Sequence, residues 1–103
     1  MGRLSLVWTS EARRDLAEIW FYIQKRSGSV GPADRVNQAI VDALHELTEN
    51  LGLAHPRPEV TLESLLFCQV FSYQLILQVS GQDLIVVGIL HGARDLSEVL
   101  KDR

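Results

Sequence analysis

The side chains in this sequence with the types and spacing for chemistry are few, and the densest group closes its last apolar run: His91-Gly92-Ala93-Arg94-Asp95. A histidine at the end of a buried strand commonly bonds a backbone carbonyl, because interior polar groups are nearly always paired. Arg94 and Asp95 suit either a local ion pair, worth about 0–1 kcal/mol if exposed, or a contact from Arg94 to a target. His45 falls on the outer face of a helical pattern and reads as solvated. Three histidines without Cys or carboxylate at ligand spacing make no metal site. Cys68 is the one cysteine, so it closes no internal disulfide, and it reads as a core or half-buried thiol. Ser10, Ser27 and Ser29 lie in cap and loop settings and form no triad. Gly28 and Gly31 punctuate helices rather than cradle a phosphate. No cofactor is expected.

These residues need elements to position them. Arg3 to Thr9 is rich in strand formers and starts with a polar–apolar alternation, which predicts a first strand. Thr9-Ser10 supplies a capping hydroxyl and Glu11 suits the positive end of a helix dipole. Ala12, Leu16, Ile19, Trp20 and Ile23 then trace one helical face, and Gly28 ends the helix. Gly31-Pro32 opens a second helix with Pro at its first position. Val36, Ile40, Ala43, Leu44, Leu47 and Leu51 form its stripe, with Gly52 as the stop. The short connection makes the helices antiparallel neighbours. Leu65 to Phe71, Tyr73 to Val79 and Leu84 to Leu90 are three further strands, separated at Ser72 and at Ser80-Gly81-Gln82-Asp83. The last lacks alternation, as a central strand buried on both faces does, and its Gly88 marks a bulge or a close helix approach. Leu96, Val99 and Leu100 suit a short helical tail. The fold class is α+β: a helical hairpin packed on an antiparallel or mixed sheet, order β-α-α-β-β-β with that tail.

Bulk properties agree with one domain over residues 1–103. Hydrophobic residues make up 47% of the chain, which argues against disorder. The longest apolar run, Leu84 to Leu90, falls far short of the ~20 residues that cross a bilayer. Met1-Gly2-Arg3-Leu4 carries no secretory signal, and Leu6 stands where a myristoylation signal needs Ser or Thr. The expected location is the cytoplasm. Net charge is −3, with six Lys/Arg against four Asp/Glu in residues 1–35 and four against nine beyond. A phosphate-wrapping protein shows a basic excess, so sequence-specific nucleic-acid binding is not expected.

Local words in this order resemble the ParE/RelE superfamily of toxins from bacterial type II toxin–antitoxin systems. They are Val7-Trp8-Thr9, Ala12 and Asp15-Leu16 opening the first helix; Ile19-Trp20-Phe21-Tyr22-Ile23 continuing it; Ala39-Ile40 and Leu44 in the second; and Gly88 to Asp95 closing the last strand. The resemblance covers nearly the whole chain. It implies one of two activities: mRNA cleavage on the ribosome by RelE-like members, or binding and inhibition of DNA gyrase by ParE-like ones. It also implies a hetero-oligomer with an antitoxin whose C-terminal segment folds along the helical hairpin.

The residues favour the ParE branch. RNA cleavage by 2′-hydroxyl attack needs a general base, a general acid and cations converging from the sheet. Where many family members carry a strand Arg, this chain reads Ser64 to Val70; where many carry Tyr-Arg, it reads Leu77-Gln78. The phosphate would thus face Leu66 and Leu77. The preceding loop offers His55 and Arg57 opposed by Glu59 and Glu63. The favoured reading is a gyrase-binding toxin without catalytic residues, neutralised by a ParD-like antitoxin. A RelE-like endoribonuclease using His55, Arg57, Tyr73, His91 and Arg94, or a non-toxic binding module, are the alternatives. His91, Arg94, Asp95, Leu96 and Leu100 are the expected target contacts. Trp20 joins the core stripe, which sends Phe21 or Tyr22 either against the second helix or outward to receive the antitoxin. Lys25, Arg26 and Arg35 form a basic tip at the hairpin turn that suits an acidic partner.

Overall fold

The computed structural model describes residues 3–59, 61 and 63–91. Strand β1 (Ser5–Trp8) leads into helix α1 (Ser10–Ser27), helix α2 (Val30–Glu49), a 3₁₀ turn (Leu51–Leu53), and strands β2 (Leu66–Val70), β3 (Tyr73–Ser80) and β4 (Asp83–His91). The sheet order is β1-β4-β3-β2, with β1 parallel to β4 and the other pairs antiparallel. The expected order and the central place of β4 are both present. The predicted tail at Leu96, Val99 and Leu100 lies outside the described residues.

Capping explains the helix ends. Thr9, in extended backbone, accepts a hydrogen bond from the Ala12 amide at 3.1 Å and starts α1. Gly28 ends it in the left-handed region at φ 70°, its amide returning to the Gln24 carbonyl. The second helix begins earlier than Gly31-Pro32 suggests, at Val30. Ser29 is its cap, and Pro32 sits third, where an absent N–H still costs no helical bond. It also ends earlier, at Glu49 rather than Gly52, because the chain tightens into the 3₁₀ turn. At the β3–β4 turn, Gly81 takes φ 60°.

The hairpin covers one face of the sheet. Ile40, Leu44 and Leu47 of α2 are fully buried with Leu75, Leu77, Leu84 and Val86 of the sheet. Each is worth about 1.5–3 kcal/mol relative to exposure. On the opposite face Phe67, Ile76 and Leu90 form a smaller buried cluster with Leu65. A register shift lies opposite Ile76/Leu77, so β4 has one extra residue, Val87, between Val86 and Gly88. The bulge therefore falls beside Gly88. It swaps the facing of the strand, so that Leu84 and Val86 before it and Ile89 after it all reach the helices.

Candidate functional site

Strand β1 stops at Trp8, paired with Val86, while β4 runs on to His91. Beyond that point, side chains of the next segment take up the β4 backbone. Thr9 Oγ1 donates to the carbonyls of Val86 (2.9 Å) and Val87 (3.2 Å). Asp15 Oδ2 accepts from the Ile89 amide at 3.0 Å. These bonds fix the first turns of α1 against the end of β4.

Between them opens a cleft of about 420 Å³. Its floor is Ile19 and Ile89, with Leu90 beside them on β4, and its walls carry Tyr22, Tyr73 and His91. Asp15 and Glu18 are its carboxylates, and among the described residues no Lys or Arg lines it. Tyr73 and His91 meet edge to face with centroids 5.5 Å apart. Ser72 Oγ lies 3.5 Å from His91 Nε2. Burial pushes the Tyr73 hydroxyl above its usual range, with a smaller push from Tyr22. His91 ends the strand as expected, but it is exposed rather than interior.

The residues assigned to antitoxin contact divide. Trp20 is half-buried but stands apart from the main core cluster, because its indole Nε1 turns to Asp34 of α2 at 2.8 Å. The expectation that it joins the core stripe is corrected: packing against α2 falls to Trp20. Phe21 (64% exposed) and Tyr22 (55%) face outward. Arg26 stacks over the Tyr22 ring at 5.6 Å, and Lys25 and Arg35 are exposed beside the same turn. Of the assigned target contacts, His91 borders the cleft, while Arg94, Asp95, Leu96 and Leu100 lie outside the described residues.

Of the groups proposed for RNA cleavage, Tyr73 and His91 meet at the cleft and Arg94 lies outside the described residues, while His55 and Arg57 stand elsewhere. His55 bridges Phe67 of β2 through two backbone bonds of 2.9 and 2.8 Å. Arg57 lies over the Phe67 ring at 5.8 Å and pairs with Glu59 at 3.0 Å. The Glu59 carboxyl sits below the usual range, chiefly through its own backbone amide and then through Arg57. Tyr73 is three residues along β3 from Ile76, the partner of Phe67; that is roughly 10 Å at the strand rise. It also faces the helices, whereas Phe67 and Ile76 face away. Leu66 and Leu77 likewise pack under the helices, so they front no phosphate. The outer face presents other residues there: Gln69, Gln74 and Gln78 alternate with the inward ones.

Asp15, Glu18, Ile89 and Leu90 are site residues that sequence reasoning missed. A carboxylate four residues before Ile19 and another one before it look like ordinary solvated helix charge. Only the β1–β4 register shows what they face. Cys68 is half-buried as expected, its thiol pushed up by burial and then by Glu46. Among the described residues no cluster of His, Cys, Asp or Glu could hold a metal.

A family model described as the ParE toxin of the type II toxin–antitoxin system, parDE, matches residues 6–96. Among solved structures, a chain of the chromosomal ParDE system from P. aeruginosa superposes with a TM-score of 0.74 at 21% identity, covering 86% of this chain and 96% of that one. A chain of a RelBE toxin–antitoxin complex from Mycobacterium tuberculosis gives 0.66 at 19% identity, covering 91% and 97%. At those identities the likeness is one of fold. No curated protein sequence matches the chain.

Proposed function

This chain belongs to the ParE toxin family of type II toxin–antitoxin systems, and we propose that it acts by binding DNA gyrase and is neutralised by a ParD-like antitoxin. The supporting observation is the character of the outer sheet face. Among the described residues it carries Val7, Gln69, Gln74, Gln78 and Ile85 around the buried Phe67 and Ile76. Among the described residues these side chains assemble no general acid–base pair beside a free cation for a phosphorane. The Arg57 guanidinium, which lies over the Phe67 ring, is already engaged by Glu59. A face of this character supports action by occupancy rather than by cleavage. The exposed Phe21 and Tyr22 suit the antitoxin, because partner surfaces favour aromatics.

Induced expression tests this reading in cells. Gyrase poisoning produces DNA breaks, the SOS response and filaments while protein synthesis continues. Growth arrest should be relieved by co-expressing a cognate ParD-like antitoxin. Immediate loss of methionine incorporation with no SOS signal would instead identify a translation-directed toxin.

A further inference from the structure

On α1, Asp15, Glu18 and Tyr22 recur at helical spacing and share one side. That side meets the part of β4 that β1 leaves uncovered, and the two form the cleft. Its chemistry is lopsided. Among the described residues the lining holds two carboxylates and no Lys or Arg. Asp15 is engaged by the Ile89 amide, but exposed Glu18 makes no ion pair among the described residues. Tyrosine rings stand on both walls, Tyr22 from α1 and Tyr73 from β3, above an apolar floor of Ile19 and Ile89. An apolar trough ending in a carboxylate flanked by aromatic rings matches a long cationic side chain. Its methylenes would lie on the floor and its head against the acid.

The rim adds a separate observation. Ser72 touches His91, and the residue before it, Phe71, is 65% exposed with φ 54°. That backbone region disfavours L side chains. A two-residue hairpin turn usually places Gly or Asn there. Here a strained turn, braced by a Gln69 Nε2 bond to the Phe71 carbonyl at 2.9 Å, holds a large ring in solvent next to the cleft. Strain retained together with exposed apolar surface is a mark of a contact site.

The geometry points to this cleft as the receptor for one arginine or lysine side chain of the antitoxin, with Glu18 as its charge partner and Tyr22, whose ring already carries Arg26, at its edge. Two helical turns beyond Glu18 along α1, Lys25 and Arg26 reverse the sign of the surface. The segment that fits both therefore carries a basic residue and, about two turns (roughly 11 Å) away, an acidic one. The partner's identity rests on the antitoxin reading above; the chemistry of the cleft does not.

The test is a titration of the ¹⁵N-labelled full chain with a capped pentapeptide, acetyl-Leu-Ala-Arg-Ala-Leu-amide, and with the same peptide carrying neutral citrulline for arginine. The arginine peptide should shift the amides of Glu18, Tyr22, Ile89 and His91, and the citrulline peptide should bind about tenfold more weakly. Glu18→Gln should weaken the arginine peptide severalfold without altering the rest of the spectrum. Lys25→Gln should leave it as tight or tighter. Equal binding of the two peptides, no binding of either, shifts away from the cleft, or indifference to Glu18→Gln would overturn the inference. A chain that binds the arginine peptide yet neither arrests growth nor pairs with an antitoxin would overturn the functional reading alone.

Discussion

The carboxylate of Asp15 accepts a hydrogen bond from the amide of Ile89 at 3.0 Å, across 74 positions of the chain. It completes a relay begun by Thr9, which bonds the carbonyls of Val86 and Val87. The parallel ladder between β1 and β4 ends at Trp8, and two side chains from the following helix continue it. A central strand would otherwise bury unpaired amides beside α1, and an unsatisfied buried group costs about 1–3 kcal/mol. The same relay sets the distance between α1 and β4 that leaves the cleft open.

Asp15→Ala therefore lowers unfolding stability by about 2 kcal/mol, because the Ile89 amide loses its acceptor. Asp15→Asn keeps an amide oxygen at that place and loses less than half as much. Urea denaturation of the three proteins measures both. Hydrogen exchange should quicken at Ile89 in the alanine variant before it does elsewhere in β4.

Thr9 has two duties, capping α1 through the Ala12 amide and bonding β4. Thr9→Ser retains both and should remain within about 0.5 kcal/mol of the parent, whereas Thr9→Val loses the cap and costs about 1–2 kcal/mol. Thermal unfolding followed by circular dichroism distinguishes them. Equal stability of Thr9→Val and Thr9→Ser would contradict the relay.

How far the sequence reaches is visible at these two residues. Thr9 as a helix-start hydroxyl was legible, because capping is local chemistry. Helix faces, strand runs and the Gly28 stop were legible for the same reason. The parallel β1–β4 pairing was not, since nothing near residue 7 specifies a partner near residue 85. Without that register, Asp15 and Glu18 cannot be told from solvated charge. The facing of Leu66 and Leu77 failed for a related cause: a one-residue choice of register moves every side chain to the other face. Trp20 departed from its stripe because an indole N–H seeks an acceptor, and Asp34 lies on the neighbouring helix.

Phe71 offers a prediction of opposite sign. Its φ of 54° is held at a turn where the ring gains little burial. Phe71→Asn should raise stability by about 0.5–1 kcal/mol, since Asn tolerates the left-handed region. The same variant should bind the antitoxin less tightly. A stabilised protein with unchanged antitoxin affinity would remove Phe71 from the contact surface.

Cys68 gives a pH dependence. Burial raises its thiol above the ordinary value, so the folded state binds that proton more tightly than the unfolded one. Its contribution is fully present below the ordinary thiol range and is lost as pH rises through the folded value. Iodoacetamide labelling at pH 8 should be slow in the native protein and reach the rate of a free thiol in urea. Stability should decline into the alkaline range, less steeply in Cys68→Ala.

The central claim is that this toxin works by occupying gyrase. The most direct measurement is ATP-dependent supercoiling of relaxed plasmid by purified gyrase, with this protein added at increasing ratios and the products inspected for protein-linked cleaved DNA. The account predicts loss of supercoiling near stoichiometric toxin, appearance of linear plasmid after protease treatment, and reversal by the antitoxin. Unchanged supercoiling with no trapped cleavage, alongside cutting of ribosome-bound mRNA by the same preparation, would contradict it.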